Sequence, residues 1–355
     1  MKWKHVNLLT ERDFAVGQIL AEDIIDPITS LAYCNSGIEL TTVLIDWLTK
    51  RNVNVVRVEI TQEPVIPEER LSIDPELLHA IVTKRDANIV EVKHQFEGIS
   101  QGAEVKVDRL YDVVADVMQP LKSRGDVLKY IRYFEKSDEI TYGHGLNVAM
   151  LCNLFGTWLK MSEDEITLLT AAGALHDIGK IKTPIEILAK PGALTAEELI
   201  VMRRHVDEGY DILRRQPLSE SVKLAALLHH ERINGTGYPL GCTRTNIDKY
   251  ARIIAICDIY DAMISRRHYK DDISPFYTIR VFERQMYSEL DPLFLLIFLK
   301  NIAHSFLHCR VQLTDGRYGE VVYIHNQDLS RPIVMCGETF VDLHEDKNLD
   351  ISKVF

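Results

Sequence analysis

The chain has 355 residues, more than one ordinary domain holds, and at roughly 100–200 residues per domain it predicts two or three units. A content of 46% hydrophobic and 26% charged residues is that of a protein able to bury a sizeable core. With 41 Lys plus Arg against 52 Asp plus Glu, the net charge of −11 excludes bulk coating of DNA, RNA or an anionic membrane. It leaves room for a small anion held by a few local cations.

The opening residues Met1-Lys2-Trp3-Lys4-His5 lack the apolar core of a secretory signal. The longest apolar run, Leu293 to Leu299, falls far short of the ~20 residues that span a bilayer. Six scattered cysteines without a C-x-x-C pair read as free thiols. A cytoplasmic protein without membrane contact is expected.

In chain order, the first sixty residues lean towards strand. Val53 to Ile60 is a β-branched strand candidate, and Gly37 marks a turn before it. Thr61 to Arg70 carries two prolines and reads as a connector. After Asp74-Pro75 the pattern becomes helical, and from about Leu121 to Leu307 it is almost wholly so. Ser162-Glu163-Asp164-Glu165 and Thr195-Ala196-Glu197-Glu198 fit the S/T-x-x-E capping box. Leu293 to Leu299, apolar all round, predicts a buried helix or a subunit interface. Thr314-Asp315-Gly316, Gly319 to Ile324 and Pro332 to Met335 then predict a small antiparallel unit, expected to pack on the N-terminal strands. The fold class is thus mainly α, with a β-containing N-terminal part (1–120), a helical middle (121–307) and a short β tail (308–355).

Thirteen histidines occur, and five in the helical middle hold telling positions. His176 and Lys180 are four apart, with Asp177 adjoining. His229, beside His230, continues the stripe of Val222, Ala225 and Ala226 on the core-facing side. His144 heads a stripe with Val148, Leu151 and Phe155, His205 borders that of Leu199, Met202, Val206, Gly209 and Leu213, and Asp258 lies among Ala251, Ala255 and Ala262. One inward histidine is an ordinary core residue, but an unpaired inward carboxylate is costly. A shared metal site removes the cost of all of these together. Imidazole and carboxylate suit Fe, Mn, Zn or Ni, and so many ligands fit two ions with a bridging carboxylate better than one. Such a pair can clamp a phosphodiester and activate a water, with Lys180, Arg267 and Lys270 adding positive charge.

His176-Asp177-Ile178-Gly179-Lys180 resembles the signature of the HD superfamily of metal-dependent phosphohydrolases. His229-His230-Glu231-Arg232-Ile233-Asn234-Gly235-Thr236-Gly237-Tyr238-Pro239 resembles the second signature, which defines the HD-GYP subfamily. Asp258 to Met263 and Arg267-His268-Tyr269-Lys270 are similar to its third block, so the resemblance covers about Leu121 to Leu307. It implies a helical HD-type bundle enclosing a metal site, and a bacterial phosphodiesterase that linearises cyclic di-GMP. One metal would be held by His144, His176, Asp177 and Asp258, the other by Asp177, His205, His229 and His230, with Fe or Mn as the ions. Lys180 would touch the scissile phosphate, Arg267 and Lys270 phosphate or guanine, and Asp261 the base side of the ligand. Gly235, Gly237, Tyr238 and Pro239 would shape a loop beside the site that also meets a signalling partner, and a homodimer fits the same reading. Some members carry a third-metal glutamate four residues before the first ligand histidine. Ile140 stands there, beside Asp138 and Glu139, so two metals and linear pGpG are expected. Asn234 replaces the usual aspartate of the loop, a mild change. A hydrolase of another cyclic dinucleotide, such as 3',3'-cyclic GMP-AMP, and a non-catalytic receptor are the alternatives. Residues 1–120 match no sensor pattern and are regulatory, dimerising or a structural flank.

Overall fold

A computed structural model describes residues 2–8, 15–16, 18–25, 32–34, 36–51, 53–60, 75–121, 127–128, 130–131, 142–190, 192–264 and 274–355. The connector 61–70, the Asp138 to Ile140 segment, Arg267 and Lys270 lie outside these residues.

At the N-terminal end, β1 (Lys2–Asn7) pairs antiparallel with β4 (Val55–Ile60), Lys2 facing Ile60 and Asn7 facing Val55. The short strands β2 (Ile24–Ile25) and β3 (Ala32–Cys34) pair with each other. Helix α1 (Thr42–Thr49) lies between β3 and β4 and begins at Thr41, whose hydroxyl accepts from the Leu44 amide at 3.2 Å. Val6, Leu20, Leu40, Ile45, Leu48 and Val58 are buried together in a core of their own.

The helical part starts at Pro75, where the pattern becomes helical in the sequence. Helix α2 (Pro75–Ser100) buries Ile81, Ile89, Val92, Phe96 and Ile99, one stripe at helical spacing. It ends where the Ala103 amide bonds the Gly98 carbonyl (2.9 Å) and the Gly102 amide bonds that of Ile99 (3.0 Å). Helix α3 (Val107–Met118) buries Leu110, Val113, Val114 and Val117. These residues share one hydrophobic cluster with α4 (Tyr142–Trp158), α5 (Glu163–Leu175), the later helices and the C-terminal strands. The expected boundaries at 120 and 307 therefore do not divide the core. Periodicity marks where elements change, whereas the core is set by which apolar faces meet.

Helix α4 is buried on nearly all sides and runs against α5. Gly173 makes their approach close, since a side chain there would run into Cys152 Sγ and Ala149 Cα. Both expected capping boxes form, at Ser162–Glu165 for α5 and Thr195–Glu198 for α6 (Ala196–Arg203). Helices α7 (His205–Leu213), α8 (Glu220–Leu228) and α9 (Lys249–Ile264) complete the surround of the site. Helix α10 (Pro275–Val281) and α11 (Pro292–His304) close the far side. The apolar run in α11 is chiefly core: Phe298 packs on Phe155, Trp158 and Tyr260, with ring centroids 5.0, 5.8 and 5.3 Å apart, while Leu293 is exposed.

The tail forms a five-stranded antiparallel sheet in the order β8-β7-β6-β5-β9, from β5 (Arg310–Leu313), β6 (Tyr318–His325), β7 (Asp328–Cys336), β8 (Thr339–Asp342) and β9 (Ile351–Val354). Among the described residues it packs on α10 and α11, whose apolar faces share its cluster, while the N-terminal strands belong to another. Polar ties fix this docking. Glu283 accepts from the Leu329 amide at 2.8 Å, and Arg280 pairs with Asp350. Arg331, 3% exposed, donates to Asp350 and to the carbonyls of Leu343, Asp346 and Leu349. No helix of the described residues is long and apolar enough to cross a membrane. Truncating Arg331 to Ala would remove the donors of the buried Leu343 carbonyl and of the part-buried Asp350 carboxylate and should cost about 3 kcal/mol. A lower urea midpoint at unchanged m value checks this; an unaltered midpoint refutes the clamp.

Candidate metal centre

Five imidazoles reach one place from four elements. His144 lies in the first turn of α4, His176 ends α5, His205 starts α7, and His229 ends α8 with His230 directly after it. Three of them are oriented by backbone carbonyls. Nδ1 of His176 donates to Gly173 and Nδ1 of His205 to Met202, both at 2.7 Å, while Nδ1 of His229 reaches Ala225 and Ala226 at 3.1 Å each. A carbonyl only accepts, so these three rings carry their proton on Nδ1 and turn an Nε2 lone pair inward.

Asp177 follows His176 and opens a 3₁₀ turn, Ile178–Lys182. One carboxylate oxygen, Oδ2, lies 3.4 Å from His176 Nε2 and 3.7 Å from His144 Nε2. The other, Oδ1, lies 3.3 Å from His205 Nε2 and 3.8 Å from His229 Nε2. Asp258, on α9, approaches His144 Nε2 at 3.1 Å and His230 Nδ1 at 3.9 Å. Lys180 completes the turn with a hydrogen bond to Asp177 Oδ2. The turn fits against α7 only because residue 179 is glycine: a Cβ there would collide with the His205 carbonyl and the Gly209 amide.

This arrangement fits a divalent metal. The lone pairs of His205 and His229 face each other at 3.4 Å, two acceptors that a metal cation would satisfy together. His176 Nε2 and Asp177 Oδ1 are buried without a hydrogen-bond partner. Asp177, His205, His229 and His230 form one group, and His144, His176 and Asp258 another, each with ligand atoms within 4.8 Å of one another. Imidazole and carboxylate together are ligands for first-row divalent metals.

The electrostatics agree. Burial holds His176, His205 and His229 below the ordinary imidazole value and pushes His230 down to about 3. Neutral rings are the form that binds metal. Burial works against charge on Asp177 as well, but the Lys180 ammonium, first among the lowering causes, holds its carboxyl well below the usual range. His144 differs. Burial would lower it, yet hydrogen bonds and charge from Asp258 and Asp261 carry it up to about 10.

Asp261 departs from expectation. It is 1% exposed; Oδ2 accepts from His144 Nδ1 at 2.7 Å, and Oδ1 from Asn147 at 3.0 Å. A carboxylate so enclosed orients a ring rather than meeting a ligand's base, and its place three residues after Asp258 on α9 is the signal that pointed to this face. Glu231 was also missed: both of its oxygens are taken, by the amides of Leu240 (2.7 Å) and Cys242 (2.9 Å), which ties down the loop carrying Gly235, Gly237, Tyr238 and Pro239. Asn234 accepts from the Thr236 amide at 3.1 Å, so it serves the turn as an aspartate would. A Cβ on Gly237 would strike the Glu231 and Arg232 backbone. Tyr238 stacks on His230, with centroids 4.7 Å apart and planes at 25°. Burial, with the charges of Asp177 and Asp258, raises its phenol.

A helical domain that draws imidazoles and carboxylates from separate elements into one buried cluster is a metal-binding α-domain. Residues 110–293 match the HD domain family, and the chain belongs to that family. It is 32% identical over 266 residues to a protein of Pseudomonas aeruginosa named cyclic di-GMP phosphodiesterase PA4108, which covers 75% of this chain and 64% of that protein. It is 38% identical over 133 residues to the Vibrio cholerae 3'3'-cGAMP-specific phosphodiesterase 2, covering 37% of this chain and 26% of the relative. The chain thus spans less than two thirds of the length of both. In fold it is similar to the solved structure of Bd1817, a HDG"Y"P protein from Bdellovibrio bacteriovorus, with a TM-score of 0.51 at 14% identity over 84% of this chain and 98% of that one.

Two outcomes follow from the geometry. Asp261→Asn should weaken metal affinity about 10–100-fold, as loss of a ligand's hydrogen-bond partner does, measured by chelator competition; a raised KM with unchanged metal affinity would restore Asp261 as a ligand contact. The metal-free protein should lose stability as pH falls from 6.5 towards 3, where the unfolded chain takes up protons that His230 and its buried neighbours refuse. The contribution of His144 runs the other way, complete below 6.5 and lost as pH rises to about 10. Melting temperature should therefore peak near neutrality, and a flat profile from pH 7 to about 4 would count against neutral buried rings.

Proposed function

We propose that the chain is a metal-dependent phosphodiesterase of the HD-GYP type that hydrolyses cyclic di-GMP to linear pGpG. The observation that carries this is Asp177, which presents one carboxylate oxygen to His144 and His176 and the other to His205 and His229. That placement suits a bridge between two ions, Fe or Mn, with His144, His176, Asp177 and Asp258 on one side and Asp177, His205, His229 and His230 on the other. The name of the Pseudomonas aeruginosa relative supports the substrate class. When bound, the metals supply the Lewis acidity that polarises a phosphoryl oxygen and activates a water.

The residues of the chain do the rest. The backbone carbonyls hold the Nδ1 protons so that the rings meet the site in one tautomer. Lys180, partly exposed beside Asp177, can stabilise charge that develops on a phosphoryl oxygen. Arg267 and Lys270 are the further cations proposed to meet the substrate. Similarity to a 3'3'-cGAMP-specific enzyme makes the mixed cyclic dinucleotide the second reading.

Protein purified without oxygen should contain about two Fe or Mn per chain and convert cyclic di-GMP to pGpG, read by elemental analysis and chromatography. Running 3',3'-cyclic GMP-AMP in parallel separates the two readings, and bound nucleotide without turnover under several metals would replace the enzyme by a receptor. Asp177→Ala should abolish turnover and leave at least one metal position largely unfilled; full metal content in that variant rules out the bridge.

A further inference from the structure

Arg203 ends α6, two residues before His205, and its side chain is exposed. Its guanidinium carbon lies 4.8 Å from the centroid of the Tyr238 ring. Tyr238 is in turn stacked on His230. The three groups form one pile that runs from the metal centre outwards. Among the described residues, Lys180 is engaged with Asp177, and Arg232 with Glu289 at 3.6 Å. Arg203 is paired with no carboxylate among the described residues. A guanidinium resting on an aromatic face keeps its N–H edge free and holds it in place, so little freedom is lost when it binds a planar or tetrahedral oxyanion.

A cyclic dinucleotide carries two phosphodiesters, and only one can be cleaved at the centre at a time. The other must then lie near a chain of net charge −11. Resting on the reading that the substrate is a cyclic dinucleotide, we propose that Arg203 binds the second phosphodiester, the one not being cleaved. The guanidinium fork matches two phosphate oxygens. Tyr238 acts as the platform that positions it, which gives the loop tied by Glu231 a direct part in substrate affinity.

The test compares metal-loaded wild type and Arg203→Ala on cyclic di-GMP and on bis(p-nitrophenyl) phosphate, which has a single phosphodiester. The ratio of kcat/KM for cyclic di-GMP to that for the small ester should fall about ten-fold or more, chiefly through KM. KM for cyclic di-GMP should also rise less steeply with salt in the variant, one screened contact having gone. An unchanged ratio overturns the proposal, because a residue that only shapes Tyr238 would affect both substrates alike. An unchanged salt slope overturns the phosphate as the group held. Wild type that cleaves the small ester but not cyclic di-GMP would sink the proposed activity instead. Calorimetric Kd values of both proteins for cyclic di-GMP then decide Arg203 by itself, equal values overturning it.

Discussion

Asp177 is 3% exposed, and an uncompensated charge buried to that degree costs several kcal/mol. The surrounding structure answers that charge. Four Nε2 atoms lie within 3.3–3.8 Å of its oxygens, and an ammonium bonds one of them. Burial keeps most of these rings neutral, so they cannot neutralise the carboxylate themselves. Their lone pairs instead converge with it, and cations held among them would satisfy the whole cluster. The helices bring together groups that repel or go unpaired without metal.

Holding such a cluster requires rigid supports. Carbonyls at the ends of α5 and α8 and in α6 set the ring tautomers, Asp261 and Asn147 fix His144, and Glu231 fixes the loop. Gly179 lets the Asp177 turn lie against the first turn of α7. These groups act at one remove, and each restricts a ligand to a single orientation. The C-terminal sheet belongs to the same economy of packing. Its docking through Arg331, Arg280 and Asp350 completes a core begun at α2, so that residues before and after the family match stabilise the helices bearing the centre. The N-terminal strands and α1 close a separate core.

The helical middle, both capping boxes, strand β4 and every residue of the metal cluster were legible in the sequence, for physical reasons. Helical spacing reports which residues face inward, and a carboxylate on such a face is rare enough to call for a partner. Helix α1 and strands β1, β5, β8 and β9 escaped notice: all are short, and β1 and β9 take their form from pairing with distant strands. Asp261 was assigned to the ligand because sequence spacing shows the face of a helix but not what stands opposite it.

By itself, then, the sequence determined the mainly helical class and the identity of the inward histidines and aspartates, because those depend on local periodicity and residue chemistry. Only the tertiary structure decided that one oxygen of Asp177 faces each histidine group, that Asp261 serves His144, and that Arg203 lies on Tyr238. It likewise decided that the core runs from α2 to the C-terminal sheet. Each of these is a contact between residues far apart in the chain, and such contacts are set by how whole faces pack.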